Sequence, residues 1–263
     1  MLPLSANLSM LFTERPFLER FGAAAAARFG AVEFQFPYAE APREVAAALR
    51  GAGLKLVLFN LPAGDWAGGD RGIAADPERV DEFRRGLDLA RSWADALDCP
   101  QLNCLAGRRG DLRTLAENVR VAASTLARDG RRLLVEACNP LDVPGFLLPR
   151  ADAAAEVLCE NAWLQFDVYH EYRISAGETR ADHEQRGAGN VVETFRRLAG
   201  QVGHVQVADC PGRHQPGTGE VNWPFVLAAV EAAGYRGHVG LEYVPEPDTL
   251  SSLAGLEGVG FGL

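Results

Sequence analysis

The chain has 263 residues, 48% hydrophobic and 8% aromatic, which supplies enough apolar material for one large core. A formal net charge of −9 argues against a nucleic-acid-binding surface. No run approaches the ~18 apolar residues of a membrane span, and Met1-Leu2-Pro3-Leu4-Ser5 lacks the features of a signal peptide, so no membrane partner and a cytoplasmic location are expected.

Taken in chain order, short apolar segments predict strands over residues 4–8, 31–36, 55–59, 101–105, 133–136, 163–167, 204–207 and 238–242. Between them, helical patterns cover 16–28, 42–52, 77–97, 112–129, 151–160, 189–198 and 223–233. Pro16, Pro42, Pro77 and Pro224 stand in expected first turns, and Gly30, Gly53, Gly130 and Gly234 follow expected helix ends. Strands read as buried on both faces and alternating with helices predict a parallel sheet, and eight of them predict an α/β fold, a single (β/α)8 TIM barrel spanning residues 1–263 as one domain. The longer connections, 60–76, 137–150, 169–188 and 209–222, all follow strand ends and would crowd one rim. The five cysteines are odd in number and lack C-x-x-C spacing, which fits free buried thiols and neither a disulfide framework nor a structural zinc site.

Four strands of the second half carry an oxygen donor at or near their ends: Glu136, Asp167, Gln206 and Glu242, at spacings of 31, 39 and 36 residues. Any one of them could cap a helix or pair with an arginine. Four together suggest one site at the C-terminal rim of a barrel, because a buried carboxylate is costly unless it is compensated. An all-oxygen set suits Mg²⁺ or Mn²⁺. Such an ion polarises the carbonyl of an α-hydroxy-carbonyl substrate, after which one glutamate can take a C–H proton and the other return it to the neighbouring carbon. Glu136 and Glu242 are the expected proton-moving pair, with Asp167 and Gln206 as further metal ligands. His170, three residues after Asp167, is expected at the same rim, against substrate oxygens. Arg213 is the candidate cation for a substrate carboxylate. His204 points to the same side of its strand as Gln206 and is either a support to the site or a hydrogen-bonded barrel histidine. His183, His214 and His238 read as loop or solvated residues. Gly217-Thr218-Gly219 reads as a turn, since no Lys-Ser/Thr follows to make a phosphate loop.

The segment Ser5-Ala6-Asn7-Leu8-Ser9-Met10-Leu11-Phe12, the block Asn60-Leu61-Pro62-Ala63-Gly64-Asp65-Trp66, and the stretches Phe166–His170, His204–Asp209 and Pro216–Glu220 resemble the hydroxypyruvate isomerase family, within the xylose-isomerase-like barrels. The resemblance runs from about residue 4 to residue 245. It implies a divalent metal, Mg²⁺ or Mn²⁺, at Glu136, Asp167, Gln206 and Glu242, with Glu136 and Glu242 catalytic and His170, Arg213 and Asn60 binding substrate. Glutamine at position 206, where many relatives of the wider group have histidine, marks this branch. Phe59 and Ala137-Cys138 depart from the family pattern near the rim and bear on the choice of substrate. The implied activity is aldose–ketose isomerisation of a small hydroxy-oxo acid, hydroxypyruvate to 2-hydroxy-3-oxopropanoate, through an enediolate. Alternatives are a 2-oxo-tetronate isomerase, a ketose 3-epimerase, or a barrel that binds sugar acids without turning them over. The Gly-rich tail, 255–263, reads as a loose end or a subunit contact, which leaves room for a homo-oligomer.

Overall fold

The computed structural model describes residues 2–175 and 191–262. Nine strand segments, β1 (Leu4–Asn7), β2 (Ala31–Glu33), β3 (Lys55–Leu56), β4 (Phe59–Asn60), β5 (Gln101–Cys104), β6 (Arg132–Glu136), β7 (Ala162–Asp167), β8 (Val202–Val207) and β9 (Val239–Leu241), form one sheet. Their order is β3-β2-β1-β9-β8-β7-β6-β5-β4, and every pairing is parallel. β3 and β4 stand at opposite ends of that order, yet two residues of chain separate them. The backbone of Val57 donates to Val32 O at 2.8 Å and that of Asn60 to Gln35 O at 2.9 Å, while Leu61 donates to Asn103 O at 2.8 Å. One stretch of chain therefore bonds to β2 on one side and to β5 on the other.

The helices are α1 (Phe17–Ala26), α2 (Pro42–Ala52), α3 (Val80–Leu97), α4 (Leu112–Arg128), α5 (Ala151–Ala155), α6 (Val168–Ser175), α7 (Val191–Leu198), α8 (Trp223–Ala232) and α9 (Thr249–Leu253). Local chemistry sets their ends. Asp111 and Asn222 accept from Thr114 N and Phe225 N as N-caps, and Gly53 closes α2 in the left-handed region at φ 67°. α3 buries Phe83, Leu87, Ala90, Trp93, Ala94 and Leu97, which fall at helical spacing on one apolar stripe. Residues 77–79, expected as the first turn of that helix, form a separate 3-10 turn.

Three expectations change. α5 ends at Ala155, five residues early, and Asn161 at φ 63° turns the chain into β7. The stretch 169–188 was expected as a loop but opens as α6, because the Asp167 carboxylate accepts from Tyr169 N at 2.8 Å and His170 N at 3.4 Å and so caps a helix. The rest of that stretch, with His183 and residues 189–190 of the next expected helix, lies outside the described residues. The tail is not loose: Leu256 and Phe261 are buried, and Phe261 meets Trp223 edge-on at 5.5 Å.

The strands are not uniformly apolar either. Polar pairs two residues apart, Ser5 with Asn7, Glu33 with Gln35, Gln101 with Asn103, Gln165 with Asp167 and His204 with Gln206, share a face of their segments. Glu33 of β2 bonds to His204 and Gln206 of β8, although β1 and β9 lie between those strands in the sheet. Such contacts require the sheet to curl so that this polar face lines its interior. The apolar face packs under the helices, where Phe17, Phe21 and Phe34 meet edge-on and Phe34 stacks on Phe59.

Because Phe261 anchors the tail in a fully packed position, Phe261→Ala should cost about 3 kcal/mol and lower Tm by roughly 6–10 °C. Thermal unfolding measures this, and an unchanged Tm would show that the tail is not part of the core.

Candidate active site

Glu136 ends β6, Asp167 ends β7, and Glu242 follows β9, so parallel strands deliver three carboxylates to the same rim. Each is buried, and one ligand oxygen from each lies within 4.8 Å of the others. Like charges this close in a low-dielectric site raise the cost of ionisation. Burial, then the Glu242 and Asp167 charges, push Glu136 well above the ordinary carboxyl value. Glu242 rises to about 7: burial lifts it, Arg213 opposes, and Asp167 adds to the rise.

The hydrogen bonds differ across the pair. Glu136 accepts from Asn103 Nδ2 at 2.8 Å. Glu242 accepts from Asn7 Nδ2 at 3.1 Å, Gln35 Nε2 at 3.0 Å and Arg213 Nη2 at 2.6 Å. The same Arg213 nitrogen lies 3.4 Å from Asp167 Oδ2. Burial disfavours charge on Arg213, but the Glu242, Asp167 and Glu136 carboxylates outweigh it and hold the guanidinium protonated more firmly than a free arginine.

The other expected residues fall around this cluster in different ways. His170 is buried on α6 and its Nε2 lies 3.6 Å from Asp167 Oδ2. Its Nδ1 receives Asn139 N at 3.3 Å and lies 2.7 Å from Asn139 Nδ2, which assigns the ring proton to Nε2. Burial lowers His170 to about 4, so the ring is neutral near pH 7. Asn60 reaches Glu136 through Asn103, whose Nδ2 also donates to Asn60 Oδ1 at 3.2 Å. Gln206 sits beside Asp167 in the β7–β8 register, but its amide faces the barrel floor. Its Oε1 accepts from Gln165 Nε2 at 2.6 Å and its Nε2 donates to Glu33 Oε1 at 2.8 Å.

Glu33 was not among the expected site residues. It is fully buried and receives Ser5 Oγ, Asn7 Nδ2 and Gln206 Nε2, with His204 Nε2 at 2.8 Å. Burial would raise its carboxyl, but His204 and the bonds from Gln206 and Ser5 overcome that and hold it below the usual value. His204 is thus a hydrogen-bonded barrel histidine one layer below the rim. Gly240 is required here, since a Cβ would lie 2.4 Å from both Glu33 carboxylate oxygens. Polar residues at i and i+2 in otherwise apolar strands were the available signal for this layer.

A cavity of about 210 Å³ opens above the cluster, bordered by Glu136, His170, Arg213 and Glu242 on one side and by Trp66 and Arg71 on the other. A larger hollow of about 680 Å³ involves Lys55, Cys99 and Arg131 but none of the site carboxylates. The carboxylate cluster borders the smaller one. Cys138 lines it too, but burial and then the Glu136 charge push its thiol well up, which makes it a poor thiolate ligand. Gly217-Thr218-Gly219 wraps Asp209, whose carboxylate accepts Gly217 N at 2.6 Å and Trp223 Nε1 at 3.0 Å; it is a turn, as expected.

Three close, buried carboxylates, the two glutamates with raised proton affinity, suit a hard divalent cation. Buried amide oxygens without a hydrogen-bond partner, Asn103 Oδ1 and Gln165 Oε1, add hard-donor character around them. Both glutamates titrate above their unfolded value of 4.5, so the folded chain binds more protons than the unfolded one as pH rises through about 7. The contribution of Glu242 to stability is full below pH 4.5 and lost as pH rises through about 7, and that of Glu136 is lost in the same direction. Metal-free protein should therefore melt roughly 5 °C lower at pH 8 than at pH 5.5, and millimolar Mg²⁺ or Mn²⁺ at pH 8 should recover the difference. Calorimetry at the two pH values checks both; a Tm that rises with pH would contradict the assignment.

A family model described as xylose isomerase-like TIM barrel matches residues 21–257. The chain is 40% identical to the hydroxypyruvate isomerase of Escherichia coli (strain K12), over 96% of this chain and 97% of that one. It is 37% identical to a 2-oxo-tetronate isomerase of Cupriavidus necator, over 96% of both. A solved structure from Brucella melitensis, titled AP endonuclease, family 2, superimposes with a TM-score of 0.89 at 39% identity, covering 98% of this chain and 99% of that one.

Proposed function

On the premise that this chain belongs to the hydroxypyruvate isomerase family of xylose isomerase-like TIM barrels, we propose that it is an aldose–ketose isomerase of a small sugar acid, acting on hydroxypyruvate. One observation carries this reading: two glutamates with raised proton affinity face one cavity from separate strand ends. Counting residues 55–61 as one stave makes the sheet a (β/α)8 barrel, folded as one domain. The E. coli relative bears the name of the three-carbon activity and the C. necator relative that of the four-carbon one, so a 2-oxo-tetronate is the second substrate to test.

Glu136, Asp167 and Glu242 would hold a Mg²⁺ or Mn²⁺ ion, which would polarise the substrate carbonyl; Gln206, expected as a fourth ligand, has its amide oxygen bonded to Gln165 and would join only by giving up that bond. The chain's own groups handle the proton. Glu242, held by three donors including Arg213, is the better carboxylate and removes a proton from C3 of hydroxypyruvate. Glu136, with Asn103 as its donor, is the more readily protonated and delivers a proton to C2 of the enediolate. The hydroxyl proton passes from O3 to O2, closing the balance to 2-hydroxy-3-oxopropanoate. Neutral His170 offers its Nε2–H beside Asp167 to a substrate oxygen, Asn60 borders the same cavity, and Arg213 orients Glu242 while contacting substrate. In the absence of a membrane-spanning helix among the described residues, a cytoplasmic location fits a small-acid isomerase.

Glu242→Gln should lower kcat by about 10²–10⁴-fold with little change in Tm. Hydroxypyruvate turned over in D₂O should yield product carrying deuterium at C2, read by NMR. Retention of full activity by the variant would sink the mechanism, and exchange confined to the starting carbon would indicate an epimerase.

A further inference from the structure

The proposed substrate carries a carboxylate into a cavity that already contains an anionic cluster, so the site needs a cation that is not already neutralised. Arg213 is already partly neutralised: its guanidinium is bonded to Glu242 and lies beside Asp167. The second arginine bordering the cavity is Arg71, on the connection after β4. Its guanidinium carbon sits 4.2 Å from the centroid of the Trp66 ring, and Trp66 in turn packs on Phe36 at 4.9 Å. Its Nη1 donates to Asp70 O at 2.6 Å and Trp66 O at 3.1 Å. Among the described residues, no carboxylate pairs with it, and its Nε and Nη2 make no hydrogen bond.

The connection that presents Arg71 is itself tied down. Asp70 accepts from Asp65 N and Arg79 Nη1, which pins the residue before it. Gly72, the residue after it, has φ 116° and lies so close to β5's exit that a Cβ would come within 2.3 Å of Leu105 O. An arginine stacked on an indole and fixed by one nitrogen has little rotamer entropy left to lose. Its remaining Nε–Nη2 edge is the planar fork that matches a carboxylate with two parallel hydrogen bonds.

We propose that Arg71, stacked on Trp66, is the carboxylate-binding residue of this cavity and selects α-hydroxy and α-keto acids over neutral sugars. The proposal rests on the isomerase reading for its substrate, but its test does not require turnover. D-Glycerate, an unreactive hydroxy acid of the same length, is titrated calorimetrically into wild-type protein with Mg²⁺, into Arg71→Ala, and into Arg71→Lys, which keeps the charge without the fork. The expected result is about tenfold or greater weakening in Arg71→Ala and an intermediate loss in Arg71→Lys. In kinetics, Arg71→Ala should raise KM for hydroxypyruvate by a similar factor with kcat within about threefold. Equal D-glycerate affinity in wild type and Arg71→Ala, or no binding to wild type, would overturn the subsite. If wild type turns over neither hydroxypyruvate nor a 2-oxo-tetronate yet binds D-glycerate through Arg71, the isomerase reading fails and the subsite stands.

Discussion

Three carboxylates from three separate strands are buried within 4.8 Å of one another, and much of the rim can be understood as the response to that repulsion. Placed in water the three would be ordinary acids. Placed at the ends of parallel strands, they must be neutralised by protons, by Arg213, or by a metal ion. The protein supplies the first two itself: Glu136 and Glu242 have raised proton affinity, and Arg213 leans across Glu242 and Asp167. A site that is uncomfortable without a cation is also one that can bind a cation and move a proton.

Beneath the rim, the fold solves the same problem in a different way. Glu33 is buried more completely than any of the rim acids, yet its carboxyl lies below its usual value because Ser5, Asn7, His204 and Gln206 surround it. Both amide ends of Gln206 are engaged in that layer, by Glu33 and Gln165. Asn7 bonds to both Glu33 and Glu242 and so joins the two levels. Glu33 is paired and structural; the three above it crowd one another, and Glu136, with Asn103 as its donor, is the least satisfied of them. That contrast is a division between support and function built from the same residue types.

Much of this was legible in the sequence, and the failures have physical causes. Strand positions held because apolar runs flanked by Pro and Gly punctuation are strong local signals, and Glu136, Asp167 and Glu242 were visible as acids ending such runs. α6 was missed because its cap is Asp167, a residue whose side chain was assigned wholly to the site. The polar barrel interior was missed because the strands were read as uniformly buried; Ser5-Asn7 and His204-Gln206 carry a period-two pattern that marks a second, polar face. Glu33 could not be paired with His204 from sequence, since they stand 171 residues apart and meet only after the sheet curls. Arg71 escaped notice for a related reason. Its partner Trp66 is near in sequence, but the cavity they border is formed by β6, α6 and the chain after β8 and β9.

The most direct test of the carboxylate cluster is a Mn²⁺ titration followed by electron paramagnetic resonance, comparing wild type with the Glu136→Gln, Asp167→Asn double variant. One tightly bound ion per chain is expected in the wild type and none in a double variant that remains folded. A wild type that binds no Mn²⁺, or a double variant that binds it equally well, would contradict the claim that these buried acids are arranged around a cation.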